Sequence, residues 1–414
     1  MKPRVVLGHP SGNQFFRHLA SRLNAEGRLA QLCTTIDWRS QSWIAGALPR
    51  SLTRELRRRS FSEPLGVSVR VHPWRELFRL LAGRLGWSSL VQHETGRFSV
   101  DAVYRDFDRW VAHFLPRIGG ANAVYAYEDA AEETFTTAAK LGLGRIYDLP
   151  IVHWKTNQDL LSAEASRWPE WESTLLGTRE SSFKLARKHR ELASANVIVC
   201  PSIFVADSLK AHVSETQQVV VAPFGSPPVS SSPVAPGRDR NRPLRVLFAG
   251  SMSQRKGLAD LFEAMKRLNR KDVELVVLGS PVARMDFYRN QGVDFIHEAP
   301  RPHGEVLQLM RTCDVLCLPS IAEGRALVIQ EAMSAGLPVI ITPNTGADDL
   351  ITDGDNGFVV PIRQPSAIAE RIAWFAKHRE AVPEMGHRAQ TAAARLTWSG
   401  YAQKISDSIQ QALN

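Results

Sequence analysis

The sequence predicts an α/β protein built from two doubly wound, Rossmann-like domains that face each other across a cleft. Three observations predict it. The length of 414 residues exceeds what one ordinary core holds. Short apolar strands alternate with helix-period segments in both halves, the pattern of a parallel sheet covered on both faces. Between the halves, SPPVSSSPVAPGRDRNRP at 226–243 loses apolar periodicity and carries enough proline to resist helix or central strand.

The first half opens with the strand RVVLG, the turn HPSGNQ and the helix FFRHLASRLNAEG, in which Phe15, Phe16, Leu19 and Leu23 share a face. NAVYAY, AAEETFTTAAKLG and RIYDLPIV then read as strand, helix and strand. After the break come the strand LRVLFAG, the loop SMSQRKG, the helix LADLFEAMKRL, the strands VELVVLG and CDVLCLPS, the helix ALVIQEAMSAG and the strand LPVIITP. The expected division is therefore a domain at 1–225, a linker at 226–243, a second domain at 244–395, and a terminal helix at 396–414 packing back toward the first. Ligands of such sheets bind beyond the carboxyl ends of the strands, so the loops after Gly8, Tyr127, Pro150, Ala249, Gly279 and Pro319 matter most.

Composition narrows the function classes. An apolar fraction of 44% with 22% charged residues is that of a folded protein, and no run reaches the roughly 18 apolar residues of a membrane span. The N-terminus runs straight into a strand, so no signal peptide is expected, and the scattered Cys33, Cys200, Cys313 and Cys317 read as buried reduced thiols of a cytoplasmic protein. The net charge of +9 is concentrated: nine arginines and three glutamates lie between Arg50 and Arg84, with leucine, phenylalanine and tryptophan interleaved. The stretch 50–87 suits an anionic membrane surface or an anionic acceptor, or it is a solvated helix face. No motif points to nucleic acid. Neither RVVLGHPSGNQ nor LRVLFAGSMSQ contains G-x-G-x-x-G, which speaks against a dinucleotide-dependent dehydrogenase.

The chemistry concentrates in LPSIAEGRALVIQEAMSAGLPVI, 318–340. Glu323 follows a buried strand, and Gly324 lets the chain turn into a helix whose first amides, around Arg325, Ala326 and Leu327, suit an anion. Glu331 lies eight residues beyond Glu323, about 80° around an ideal helix, so both carboxylates can grip hydroxyls of one elongated ligand. In the loop AGSMSQRKG, Gly250 permits close backbone approach, and Arg255 with Lys256 offers a cation pair to a diphosphate.

These residues resemble the retaining, GT-B-fold glycosyltransferases of the glycogen-synthase-like family 4. The family's glutamate, seven residues, glutamate motif is matched by Glu323 and Glu331, and its G-x-P-V-I run by Gly336, Pro338, Val339 and Ile340. Its glycine and basic pair are matched by Gly250, Arg255 and Lys256, and the likeness covers most of 244–362. The resemblance implies transfer of a hexosyl group from a UDP- or GDP-sugar to a hydroxyl of a sugar or lipid-linked acceptor, with retention. Arg255 and Lys256 would neutralise the diphosphate, Glu331 would hold the ribose, Glu323 the transferred sugar, and the amides after Gly324 would complete the phosphate cradle.

In the first half, Gly12 and Asn13 stand where the family has its glycine-rich loop, while Glu128, Asp129, Asp148 and His153 are candidates for the polar group near the reaction centre. The family's phenylalanine-glycine after Glu-Gly is replaced by Arg325-Ala326, so Arg325 is a candidate for phosphate or acceptor contact. No cofactor and no obligatory metal are expected, since no D-x-D motif flanked by strands appears. A non-catalytic sugar-nucleotide-binding or membrane-scaffold protein and a sugar-nucleotide epimerase are the alternatives.

Overall fold

The computed structural model describes residues 2–38, 69–228 and 242–413. The 50–68 portion of the basic stretch and residues 229–241 of the linker lie outside the described residues. The first half supplies strands β1 (Val5–His9), β2 (Leu29–Thr34), β3 (Val69–Val71), β4 (Ala123–Tyr127), β5 (Gly144–Asp148), β6 (Val197–Cys200) and β7 (Gln218–Val221). Its helices are α1 (Gln14–Ala25), α2 (Trp74–Arg84), α3 (Ser88–Val91), α4 (Val100–Phe114), α5 (Glu132–Lys140), α6 (Trp154–Arg167), α7 (Ser182–Ser194) and α8 (Ile203–Leu209). The second half supplies β8 (Leu244–Ala249), β9 (Val273–Leu278), β10 (Ile296–Glu298), β11 (Val315–Leu318), β12 (Val339–Ile341) and β13 (Gly357–Val359). Its helices are α9 (Leu258–Leu268), α10 (Met285–Arg289), α11 (His303–Arg311), α12 (Leu327–Ser334), α13 (Pro365–Lys377), α14 (Val382–Ala394) and α15 (Trp398–Ala412).

Two parallel sheets result, ordered β3-β2-β1-β4-β5-β6-β7 and β10-β9-β8-β11-β12-β13. The expected pair of doubly wound domains is borne out. Each order reverses beside its first strand, so the switch points lie between β1 and β4 and between β8 and β11. The loops after β8 and β11 can pack together because Gly257 has φ +76°, and a Cβ there would collide with the Pro319 carbonyl.

The strands are apolar on both faces because helices cover both. One face of the first sheet packs Leu7, Phe16 and Tyr125 against Tyr401, Ile405 and Ile409 of α15, and the other packs Val6, Phe107, Phe135 and Ile198. Helix α15 thus lies in the first domain's core although it ends the chain. The reverse also occurs, and a boundary at 225 gives no sign of it. Trp171, in the 3-10 turn Pro169–Thr174, is buried in the second domain's core against Phe262, Phe287 and Tyr288. Val152, Leu161 and Leu175 form a small apolar cluster with Ala322 between the domains. All four cysteines are buried and unpaired. Among the described residues no helix is long and apolar enough to cross a membrane.

Candidate functional site

The loops after β8 and β11 meet at the second switch point and bring Arg255, Lys256 and Glu323 together. Arg255 donates through one guanidinium nitrogen to Glu323 Oε1 at 2.8 Å and to the Ala322 carbonyl at 2.9 Å. Lys256 Nζ lies 2.6 Å from the same Glu323 oxygen. Burial works against the Glu323 charge, but the two cations outweigh it and hold its carboxyl below the usual range. Lys256 is shifted downward, because burial and the neighbouring Arg255 exceed the help from Glu323. A half-buried pair of cations balanced by one carboxylate leaves net positive charge at these loops.

Beside them opens a pocket of about 380 Å³, lined among others by Gly250, Lys256, Ser280, Arg301, Val306 and Leu327. Helix α12 begins at its wall with Ala326 as N-cap, a residue whose side chain caps nothing, so the amides at the start of α12 are left to an anion. The Ala326 amide itself is turned inward onto the Thr345 carbonyl. Because α12 starts at Leu327, Glu323 is a loop residue, and the angle of an ideal helix does not relate it to Glu331. Glu331 stands on α12 with Oε1 3.0 Å from His303 Nε2 of α11; burial raises its pKa and His303 offsets part of the shift.

Arg325 does not join the cations at the cleft. Its enclosed guanidinium donates to Gln330 Oε1 at 2.8 Å, the Gly346 carbonyl at 2.7 Å and Asp349 at 2.9 Å. Gln330 in turn donates across the domain boundary to the Phe224 carbonyl and Ser226. In this chain the arginine is an interior strut of the loop. Gly324 is required by close approach, since a Cβ would collide with the Pro150 carbonyl, and its own carbonyl accepts from Ser202 Oγ at 2.6 Å.

The first domain's loops hold several corrections. The Gly12 amide is spent on His9 Nδ1 at 3.0 Å, as is that of Ser11, and Asn13 caps α1 through Phe16 while facing His9 Nε2. Burial, with Arg17 nearby, lowers the His9 pKa to about 3, so its ring is neutral. His9 escaped the sequence reading, although its place at the end of β1 marked it. At the start of α5, Asp108 receives the amides of Glu133 and Thr134. Glu128 pairs with Lys188 at 3.2 Å and Asp129, at φ +69°, with Arg187 at 2.9 Å.

His153 caps α6 through the Lys155 amide, stacks on His212 with centroids 3.9 Å apart, and has its pKa lowered to about 3 by burial and His212. Asp148 is buried toward α15 beside Tyr125 and Tyr401. Neither side chain belongs to the cluster around Lys256. Among the described residues no His, Cys, Asp and Glu cluster could hold a metal ion.

Residues 236–393 match the sequence model of glycosyl transferases group 1. The D-inositol 3-phosphate glycosyltransferase of Corynebacterium kroppenstedtii is 30% identical over 182 residues, which cover 41% of this chain and 40% of that protein. The chain spans about half the length of the curated relatives it matches. Sucrose-phosphate synthase from Thermosynechococcus elongatus superposes with a TM-score of 0.65 at 16% identity, covering 99% of this chain and 98% of that one. Anabaena HepE, solved with UDP and glucose, superposes with a TM-score of 0.61 at 16% identity, covering 98% of this chain and 99% of that one. The chain has the GT-B fold of these glycosyltransferases, and its residues 236–393 are similar to the glycosyl transferases group 1 family.

Proposed function

We propose that the protein transfers a hexosyl group from a nucleotide diphosphate sugar, UDP-linked or GDP-linked, to an acceptor hydroxyl with retention of configuration. The observation that carries the reading is the convergence of Lys256 and the uncapped start of α12 on one pocket, with Arg255 held beside Lys256 by their shared partner Glu323. Breaking the sugar–phosphate bond leaves negative charge on the diphosphate. Fixed cations and helix-end amides stabilise that charge more in the transition state than in the ground state, with no reorganisation to delay them. Glu323 orients both cations and offers an acceptor to the sugar hydroxyls, while Glu331 with His303 receives the ribose. The reaction runs without a divalent metal, because protein cations already meet the leaving group. The UDP seen in HepE favours uracil as the base.

The acceptor is a sugar or lipid-linked molecule, and the protein works on the cytoplasmic face as a peripheral membrane protein. Helix α2 supports this. Its inner face buries only Glu76 and Ala82, while Trp74, Phe78 and Leu81 are 65%, 49% and 46% exposed. Leu85 and Trp87 extend the patch, and Arg84 of the same helix and Arg97, whose carbonyl accepts from Arg75, are exposed beside it. An apolar stripe turned away from the core and flanked by arginines suits an anionic bilayer.

Thermal unfolding with UDP, GDP, ADP and their sugars tests the donor, since a ligand of the native state raises the melting temperature by mass action. Proton NMR of the first product reads its anomeric configuration. No stabilisation by any nucleotide would overturn the reading, and an inverted product would overturn retention.

A further inference from the structure

The cation pair sits on a turn whose anchor comes from the other half of the chain. The 3-10 turn Gln254–Lys256 carries Arg255 and Lys256 directly after a glutamine that is fully buried. Every polar group of that glutamine's side chain is engaged. Oε1 accepts from the Ala259 amide at 2.9 Å, and Nε2 donates to Glu164 at 2.6 Å and to Asp260 at 2.9 Å. Its backbone amide donates to Thr174 Oγ1 at 3.1 Å. Glu164 and Thr174 belong to the excursion that starts with α6 and inserts Trp171 into the second domain. Glu164, itself fully buried, also receives Arg363 Nε at 2.5 Å, and Arg167 bridges to Asp260 at 2.6 Å.

Two carboxylates on one side and an amide N–H on the other leave the Gln254 side chain a single orientation. Rotating or losing it frees the start of the turn, and with it the bearing of the next two residues. The far end of the turn is tied separately, because the Arg255 carbonyl accepts from the Ile321 amide at 2.8 Å. We infer that Glu164 and Gln254 are a positioning pair that sets Arg255 and Lys256 for the donor diphosphate. The inference rests on the proposed donor site. Neither residue touches the donor; each acts through the turn.

The consequence is selective for the diphosphate, so comparing UDP with uridine in titration calorimetry tests it. Gln254→Met keeps the length and removes the hydrogen bonds, and Thr174→Val deletes only the hydroxyl that receives the Gln254 amide. Misplacing a charged group by a fraction of a bond length to 1 Å costs about 10- to 100-fold. UDP affinity is expected to fall at least about tenfold in Gln254→Met and less in Thr174→Val, with uridine affinity unchanged. In a background carrying Arg255→Ala and Lys256→Ala, Gln254→Met should cost nothing further. Equal losses for UDP and uridine, or unchanged UDP binding in both variants, would overturn the positioning role while leaving the donor site standing. A wild-type protein that binds uridine as tightly as UDP would overturn the site and the pair together.

Discussion

Replacing Asp148 by asparagine should abolish much of the stability loss that the protein suffers as pH rises through neutrality. The carboxyl is buried at the end of β5, and burial raises its pKa to about 7. The nearby Tyr125 hydroxyl opposes the shift and the charge on Glu128 adds to it; Tyr127, Tyr401 and Cys200 are also titratable neighbours. Since the folded pKa lies above the unfolded value of 3.8, the unfolded chain gives up its proton first. The penalty is absent below the unfolded pKa and complete above the folded one. A rise from 3.8 to about 7 corresponds to roughly 4 kcal/mol above pH 8, of which more than half develops between pH 5 and 8. Asparagine is close in shape and does not titrate. For a domain of this size the difference amounts to roughly 5–10 °C in melting temperature. Calorimetric scans at pH 5 and pH 8 should show wild type losing that much more than the variant. Parallel losses in the two proteins would refute the buried, proton-holding carboxyl.

Glu331→Ala should weaken UDP binding by roughly 10- to 150-fold, the loss of a hydrogen bond to a charged acceptor, with the fold intact; unchanged affinity in titration calorimetry would remove Glu331 from the site. Arg255→Ala with Lys256→Ala should lower kcat by about 100-fold or more, because both cations act on charge that grows in the transition state. Activity should persist in excess EDTA, and its abolition would show that a metal shares the role. Trp74→Ser with Phe78→Ser and Leu81→Ser should release the protein from phosphatidylglycerol vesicles in co-sedimentation, and wild-type binding should weaken with salt. Equal sedimentation with neutral and anionic vesicles would make α2 something other than a membrane contact.

The fold class was legible in the sequence because its signal is local and repeated: strand and helix periods alternate, and a proline-rich break divides them. The family's Glu323 to Glu331 segment and its basic pair were legible for the same reason, since a short loop must carry them in fixed order. Other features depend on residues far apart in the chain. Nothing around Arg325 shows that its guanidinium would turn onto Gly346 and Asp349, away from a phosphate, because those partners arrive from the loop after β12. His9 became a neutral acceptor only once the chain closed over it and two following amides turned inward. Trp171 carries no local mark of its destination, and Glu164 is 90 residues from the glutamine it holds. Local periodicity fixes which faces must be buried, while the partner that buries each face is set by how the sheets and their crossovers pack. The tertiary structure alone therefore decided that part of the first half would anchor the donor turn of the second.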